Sequence, residues 1–202
     1  NILKKFGYDS ERFFEHKNFP LLDQDLPSLC SDRIDYSLKE MPLEEAKYIF
    51  GSLEAKDGKI VFKNKKSASL FANNYLKLHM NHRAGFEAAS RFRLFANALK
   101  IALDKKIIKF SDFWKTDDYI VKKIKLAKVP EINKILSVLR VKSLKNFSKN
   151  GAVVHKKFRY VDPEFKVNGG LVKLTSIDKN FSSRVEKARE ENLKGIKIPL
   201  YN

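Results

Sequence analysis

Residues 67–104 carry the strongest helical repeat of the chain, and this repeat does most to constrain the fold. Side chains recur there every three or four residues, which is the spacing that places them on one face of a helix. They are Leu70, Phe71, Asn74 and Leu78, followed by Phe92, Phe95, Leu99 and Leu103. Because Gly85 lies between the two groups, the pattern predicts two long helices that separate near this glycine.

Shorter helices are predicted on both sides of this block. Pro27 is suited to the first turn of a helix that ends near Met41, because Pro42 follows and can open the next helix. Thr116 is a good N-cap, and two aspartates follow it in the first turn, where carboxylates are favourable. Further helices are predicted over "DSERFFEHK" and "PEINKILSVLRVK" and over residues 177–193.

Two small β pieces interrupt the helical pattern. Asp57-Gly58 lies between short alternating runs, which predicts a hairpin near residues 52–63. After about residue 145 the segments "AVVHKKFRYVDPEFKV" and "GGLVKLTSID" resemble strands, with a turn at 168–170. We therefore expect a mostly α fold, with a helical part over residues 1–144 and a small α+β appendage over residues 145–202.

The composition excludes a disordered chain, since 43% of the residues are hydrophobic and 12% are aromatic. Cys30 is the sole cysteine, so no internal disulfide can form and a reducing, cytoplasmic setting is expected. We expect Cys30 to pack against apolar neighbours. No apolar run reaches the roughly 20 residues that cross a bilayer, so no membrane partner is expected. Because the sequence begins with Asn1, we also expect that the native chain starts upstream.

The net charge of +17 indicates nucleic acid as a possible partner. The chain has 32 Lys and only 9 Arg, and lysines are spread along its whole length. A codon bias of an AT-rich genome explains the same excess. Since arginine is the usual reader of base edges, any such binding is predicted to be weak, non-specific and sensitive to salt. The run "FWKTDDY" offers rings for base stacking, but we expect Phe113 and Trp114 to pack in a core.

The stretch "PSLCSDRIDYSLKE", residues 27–40, concentrates polar chemistry on one predicted helix. If residues 30–41 form a helix, their apolar side chains lie in one stripe and their polar side chains lie on the opposite face. The stripe is Cys30, Ile34, Leu38 and Met41, and the polar face is Asp32, Asp35, Tyr36 and Lys39. Taken alone, this is an amphipathic helix with a solvated face. A carboxylate, a guanidinium and a phenol together also suit a site for a metal and a phosphorylated sugar.

The same stretch resembles the closing motif of HD-domain metal-dependent phosphohydrolases, which has the form Asp-basic-x-Asp-Tyr-x-x-Arg-Asp. The segments "FANNYLKLHMNHR", "FANALKIALDKKIIKFSDFWKTDDYIV" and "FRYVDPEF" look like the downstream part of bacterial-type members. The resemblance implies the helical bundle of an HD domain, a divalent metal ion (Mg, Mn, Fe, Ni or Zn) and a phosphorylated small molecule or nucleotide as substrate. In such an enzyme the metal lowers the pKa of a bound water.

Matching the motif residue by residue assigns roles to this helix. The resemblance implies that Asp32 is the final metal ligand, that Arg33 contacts substrate phosphate and that Tyr36 lies against a sugar. Asp35 and Lys39 fall among the remaining substrate-binding positions, although Lys39-Glu40 stands where the family has Arg-Asp. The His-Asp dipeptide that supplies other metal ligands does not occur in this sequence.

The chain therefore resembles the C-terminal part of such an enzyme. The full-length protein is expected to be a phosphohydrolase, and this chain alone is expected to be inactive. Two alternatives stay open: a basic, helical nucleic-acid-binding module, and a catalytically inactive interaction protein on the same scaffold. Association with another copy of the chain is a further possibility.

Overall fold

A computed structural model describes residues 2–147 and 151–198 of the chain, apart from the side chain of His16. Over these residues the α-helices are α1 (Ile2–Lys5), α2 (Glu11–Phe14), α3 (Ser31–Leu38), α4 (Leu43–Gly51), α5 (Lys65–Leu78), α6 (Phe86–Asp104), α7 (Asp117–Leu126), α8 (Pro130–Leu139), α9 (Leu174–Ile177) and α10 (Lys179–Leu193). The strands are β1 (Leu53–Lys56), β2 (Lys59–Phe62), β3 (Val153–Val154), β4 (Glu164–Val167), β5 (Gly170–Lys173) and β6 (Ile196–Lys197). The prediction of a mostly α fold with small strands is confirmed.

Helix ends coincide with local signals in the sequence. Gly85 is the residue before α6, as predicted, and a π-helical turn over His79–Arg83 follows α5. Thr116 caps α7 by accepting a hydrogen bond from the amide of Tyr119. The motif helix starts later than predicted, at Ser31, because Pro27 and the residues after it form a turn rather than a first helical turn.

The predicted hairpin is present, and it forms part of a larger sheet. β1 and β2 pair antiparallel around Asp57-Gly58, and both turn residues have positive φ, the left-handed conformation that a two-residue turn of this kind requires. β4 and β5 form a second antiparallel pair, and β2 lies parallel to β4 with Phe62 opposite Phe165. The sheet order is therefore β1-β2-β4-β5, while β3 and β6 form a separate antiparallel pair.

The chain divides into two compact units, and each is made of two separate stretches. The motif unit consists of residues 1–80 and 158–190, and the basic unit consists of residues 81–157 and 191–202. This division does not follow the boundary at 144/145 expected above. The reason is that β4, β5 and most of α10 complete the sheet and core begun by the first 80 residues.

The motif unit has an aromatic core beneath its sheet. Phe62, Phe71, Phe165 and Phe181 are each at most 2% exposed, and α5 supplies Tyr75 beside them. Fully burying such rings removes large apolar areas from water, which contributes about 1.5–3 kcal/mol per side chain. This core supports α3 from one side, since Leu29 and Ile34 belong to it.

The basic unit has an aliphatic core between α6, α7 and α8, built on Leu94, Ile124, Ile132 and Leu144 and their neighbours. A polar clamp on α6 holds the chain that leaves α8. Arg91 donates to the backbone carbonyls of residues 139, 141 and 142. Glu87 accepts from the Ser143 hydroxyl and the Leu144 amide, both at 2.7 Å.

The clamp changes the acidity of its carboxyl group. Partial burial raises the pKa of Glu87, but the hydrogen bonds from Ser143 and Leu144 and the positive charge of Arg91 outweigh it. The pKa of Glu87 is therefore below its ordinary value. The carboxylate stays ionised and keeps accepting the bonds that fasten residues 143 and 144.

Within the described ranges, no helix combines the length and the apolar character that crossing a bilayer requires.

Candidate functional site

More positions of the motif helix α3 are buried than its apolar stripe predicts. Cys30 precedes the helix in extended conformation and is fully buried, as expected for packing. Ile34 is also buried, but so are Arg33 and Ser37, which lie between the apolar positions around the helix. The polar face is accordingly narrower than predicted and consists of exposed Asp32, Asp35 and Lys39.

Arg33 points into the motif unit, where its guanidinium binds the backbone of the preceding loop. Its two terminal nitrogens donate to the carbonyl oxygens of Ser28 and of Gln24, the latter at 2.9 Å. The side chain is only 9% exposed. In this arrangement Arg33 fastens the loop before α3, and its predicted contact with substrate phosphate stays a prediction.

Tyr36 lies against the core rather than on the solvated face. Its ring is half-buried among the side chains that pack on the motif unit's core. Its hydroxyl is 3.2 Å from the hydroxyl of Tyr75, a residue of α5 that is 1% exposed. The two phenols therefore link α3 to α5, and a sugar would have to reach the remaining exposed part of the Tyr36 ring.

Asp35 and Lys39 form an ion pair with each other across one helical turn. The Lys39 ammonium is 2.7 Å from the Asp35 carboxylate, and both side chains are more than half exposed. Such an exposed pair contributes little to stability. Both groups can therefore exchange this partner for a ligand at small energetic cost.

Asp32 is exposed in the first turn of α3, where its negative charge is favourable. A divalent ion bound tightly by a protein needs several ligands that are held together. In the described ranges no three His, Cys, Asp or Glu residues are grouped so as to hold an ion. The described residues therefore do not fit a complete metal site, and Asp32 would be one ligand among several.

A pocket of about 410 Å³ beside the loop that Arg33 holds was not predicted from the sequence. Ser28 and Leu29 of the motif stretch form part of its wall. The opposite walls carry Asp57, Lys59, Asp162, Glu164 and Lys173. Lys59 and Glu164 are 3.0 Å apart, and buried Asp162 accepts hydrogen bonds from the Thr175 amide and hydroxyl.

The size of this pocket falls within the range of small-molecule sites. Its charged residues come from three distant segments, so periodicity and local motifs contained no signal for it. The predicted site residues Asp32, Asp35, Tyr36 and Lys39 do not line it. The motif unit thus carries two separate features, the exposed polar face of α3 and a polar pocket that this face does not line.

Comparison with known proteins gives one similarity along the whole chain and one over a shorter part. "Uncharacterized protein YdhJ" of Bacillus subtilis (strain 168) is 25% identical over 209 residues, which cover 99% of this chain and 64% of that protein. "Metal-dependent phosphohydrolase cns2" of Cordyceps militaris is 36% identical over 61 residues, which cover 27% of this chain and 17% of that protein. The chain thus spans less than two thirds of the length of either relative. No protein-family model and no solved structure matches the chain. The chain is similar along its whole length to a bacterial protein, and over about a quarter of its length to a metal-dependent phosphohydrolase.

Proposed function

We propose that this chain is part of a metal-dependent phosphohydrolase of the HD-domain type, and that Asp32 is one of its metal ligands. The observation that carries the proposal is the 36% identity, over 61 residues, to a protein named a metal-dependent phosphohydrolase. The position of Asp32 supports it, because this carboxylate is exposed on a helix whose other side is anchored in a core.

The remaining ligands belong, in this proposal, to chain outside the described residues. One carboxylate leaves most positions around a divalent ion to water, so the 202-residue chain by itself is expected to bind such ions weakly. It is also expected to release no phosphate. The reaction class is hydrolysis of a phosphate ester, with a nucleotide or another phosphorylated small molecule as substrate.

Asp35 and Lys39 are the residues of α3 that we assign to the substrate. Lys39 supplies a positive charge for phosphate, and Asp35 supplies an acceptor for a hydroxyl group. Their mutual ion pair keeps both side chains on the exposed face until a ligand replaces it. Tyr36 is assigned to the edge of the same site through the exposed part of its ring.

The test is a phosphate-release assay on the complete product of the gene that encodes this chain. Nucleotides and sugar phosphates are offered with Mg²⁺, Mn²⁺, Fe²⁺, Ni²⁺ or Zn²⁺ in turn. We expect metal-dependent turnover, and we expect Asp32→Ala to lower kcat/KM by more than about 100-fold. Removing even the partners of metal ligands costs about 10–100-fold, and a ligand itself should cost more.

Asp118→Ala is the matched control for this variant. Asp118 occupies the second position of α7, as Asp32 does in α3, and both are exposed. Both variants therefore lose the same favourable interaction with a helix N-terminus, about 0.3–1 kcal/mol. Turnover unaffected by Asp32→Ala, equal losses in both variants, or robust turnover by the 202-residue chain would each contradict the proposal.

Substrate roles are tested separately by kinetics. Asp35→Ala and Lys39→Ala are expected to raise KM more than they lower kcat, since they remove contacts made before the transition state. Lys47→Ala is the control, because Lys47 forms a similarly exposed pair with Glu44 on α4. If Lys47→Ala raised KM as much as Asp35→Ala and Lys39→Ala do, α3 would not be the element that binds the substrate.

A further inference from the structure

The turn between α6 and α7 exposes three aromatic side chains of the basic unit. Phe110, Phe113 and Trp114 lie within five residues that form a 3₁₀ helix, and we call these three residues the aromatic turn. Trp114 is 92% exposed, Phe110 is 78% exposed and Phe113 is 42% exposed. The expectation that Phe113 and Trp114 pack in a core is therefore wrong, and three apolar rings face solvent together.

A buried carboxylate holds the aromatic turn in place. Asp112 is 5% exposed and accepts hydrogen bonds at 2.9 Å from the Lys123 ammonium and from the Lys109 amide. Lys115, which follows Trp114, lies 3.5 Å from the same carboxylate and 4.0 Å above the ring of Tyr119. The hydrogen bond from Lys123, followed by the one from Lys109, lowers the pKa of Asp112 to about 2. The rings are thus exposed on a segment that is fastened to α7.

Lysines flank the aromatic turn in the chain and are exposed on the helix that follows it. Lys109 and Lys115 flank it in the chain, and Lys122 and Lys125 are exposed on α7. The basic unit as a whole has 21 Lys and Arg residues against 7 Asp and Glu residues. An excess of this size attracts polyanions over distances comparable with the Debye length, about 8 Å at physiological salt.

We propose that the aromatic turn and the neighbouring lysines of α7 bind single-stranded nucleic acid. Trp114 and Phe110 would stack on unpaired bases, and Lys122 and Lys125 would contact phosphates. Exposed aromatic rings beside a positively charged surface are the combination that proteins use for single strands without reading their sequence. The proposal concerns the basic unit alone and does not depend on the phosphohydrolase activity.

Two other occupants fit these residues less well. A second copy of the chain would bring another strongly positive unit against this one, which is repulsive. An anionic bilayer presents a continuous negative plane, and insertion of Trp114 would bring the exposed carboxylates of Asp117 and Asp118 towards it. A single strand is a line of charge, so it can follow the lysines and leave these carboxylates in water.

Binding is tested by fluorescence anisotropy of a labelled oligothymidylate of about 15 nucleotides, a length within the known range of single-strand sites. We expect Trp114→Ala to weaken binding by about 5- to 150-fold, the effect of losing one stacked base. Trp114→Phe should restore most of the affinity, because it keeps an aromatic ring. In the unaltered protein, quenching of the sole tryptophan should follow the same binding curve.

Phe50→Ala is the matched control, because Phe50 is 68% exposed but belongs to the motif unit. It should bind the oligonucleotide as the unaltered protein does. Replacing Lys122 and Lys125 by Gln should reduce the slope of log affinity against log salt by about 1.4, since each phosphate contact on a single strand contributes about 0.7. Circular dichroism of each variant establishes that the fold is retained.

The outcomes separate the possibilities. Loss of binding in Trp114→Ala but not in Phe50→Ala, with a duplex of equal length bound more weakly than the single strand, supports the proposal. Equal affinity of Trp114→Ala and the unaltered protein would overturn it, as would equal affinity for the duplex, since paired bases cannot stack on the rings. Binding to vesicles of phosphatidylcholine and phosphatidylserine without binding to the oligonucleotide would overturn it in favour of a membrane surface.

Discussion

The motif unit and the basic unit contain almost the same number of basic residues, 20 and 21, but 17 and 7 acidic ones. These numbers together account for the 41 basic and 24 acidic residues of the chain. The basic unit is also the shorter of the two, with 89 residues against 113, so its positive charge arises mainly from a shortage of carboxylates and in part from a higher density of basic residues. An even spread of lysine along a sequence, as observed here, does not exclude a strongly charged surface.

The shortage changes what the lysines can do. In the motif unit, lysines meet carboxylates in pairs such as Lys39–Asp35, Lys59–Glu164 and Lys166–Glu54. In the basic unit the buried carboxylate of Asp112 is shared between Lys115 and Lys123. Exposed lysines that exceed the supply of carboxylates are available to an external anion, which is the basis for assigning different ligands to the two units.

The largest effect expected within the fold comes from the two arginines that hold backbone carbonyls, one in each unit. Arg91→Ala should destabilise α6 and α8 by about 3 kcal/mol, and Arg33→Ala should destabilise the region around α3 by about 2 kcal/mol, because each removes charge-assisted hydrogen bonds. Hydrogen exchange measures both effects at individual amides. We expect faster exchange only in the unit that carries the substitution.

Exchange that accelerates in both units after either substitution would show that they unfold as one cooperative body, and the comparison would then lose its physical basis. The conservative variants Arg33→Lys and Arg91→Lys serve as controls. They keep the charge but lose the planar fork that reaches two carbonyls at once, so they should recover only part of the stability.

An effect of intermediate size is expected from acid. The folded-state pKa of Asp112 is about 2, below its ordinary value of 3.8. A carboxyl group with a lowered folded-state pKa stabilises the fold above its ordinary pKa, and this contribution is lost as the pH falls from about 4 to about 2. In Asp112→Asn this part of the pH dependence should disappear.

Carbon NMR of the Asp112 carboxyl group and proton NMR of the Lys109 amide would follow this titration directly. Both signals should change together near pH 2, since the two groups share a hydrogen bond. A midpoint near 3.8 for either signal would mean that Asp112 does not fasten the aromatic turn and that the turn is not a fixed stacking surface.

The smallest effect expected concerns one buried serine in each unit. Among the described residues, the hydroxyls of Ser37 on α3 and Ser90 on α6 are buried without a hydrogen-bond partner. Because a buried hydroxyl without a partner is unfavourable and Ala favours helix, Ser37→Ala and Ser90→Ala should each stabilise the protein by about 1 kcal/mol in urea unfolding.

Ser67→Ala is the contrasting control, because the buried Ser67 hydroxyl bonds to Asn64 at the start of α5. It should destabilise the protein. A loss of stability in Ser37→Ala similar to that in Ser67→Ala would indicate that the Ser37 hydroxyl has a partner after all, and the inward face of α3 would need to be reconsidered.

Sequence alone was sufficient where the signal is local. Asp57-Gly58 predicted the hairpin because few residue pairs adopt the positive φ that its turn needs. Thr116 and Gly85 predicted helix starts because capping depends on residues within one turn. The motif helix itself was predicted, although its start was placed too early, at Pro27 instead of Ser31.

Sequence alone was insufficient where the partner lies elsewhere in the chain. The inward orientation of Arg33 depends on carbonyl groups of the preceding loop that accept its hydrogen bonds, which the motif pattern does not record; its predicted contact with substrate phosphate stays a prediction. The position of the aromatic turn depends on how Lys115 and Lys123 hold Asp112, and no periodicity records that arrangement. The polar pocket and the parallel pairing of β2 with β4 join segments that are far apart in sequence.

Because β2 pairs with β4, a strand about 100 residues later in the chain, one edge of β2 stays unpaired during part of synthesis. The chain passes from one unit to the other three times, at residues 80/81, 157/158 and 190/191. Synthesis proceeds from the N-terminus at about 5–20 residues per second, so β2 is made well before the strand that pairs with it. During that interval β2 is an open sheet edge, which is where unwanted association with other chains begins. β3 is likewise unpaired until β6 has been synthesised. A ribosome that stalls between residues 62 and 164 would therefore hold a chain with an unpaired edge, and we expect this part of translation to be the period in which the protein depends most on a chaperone.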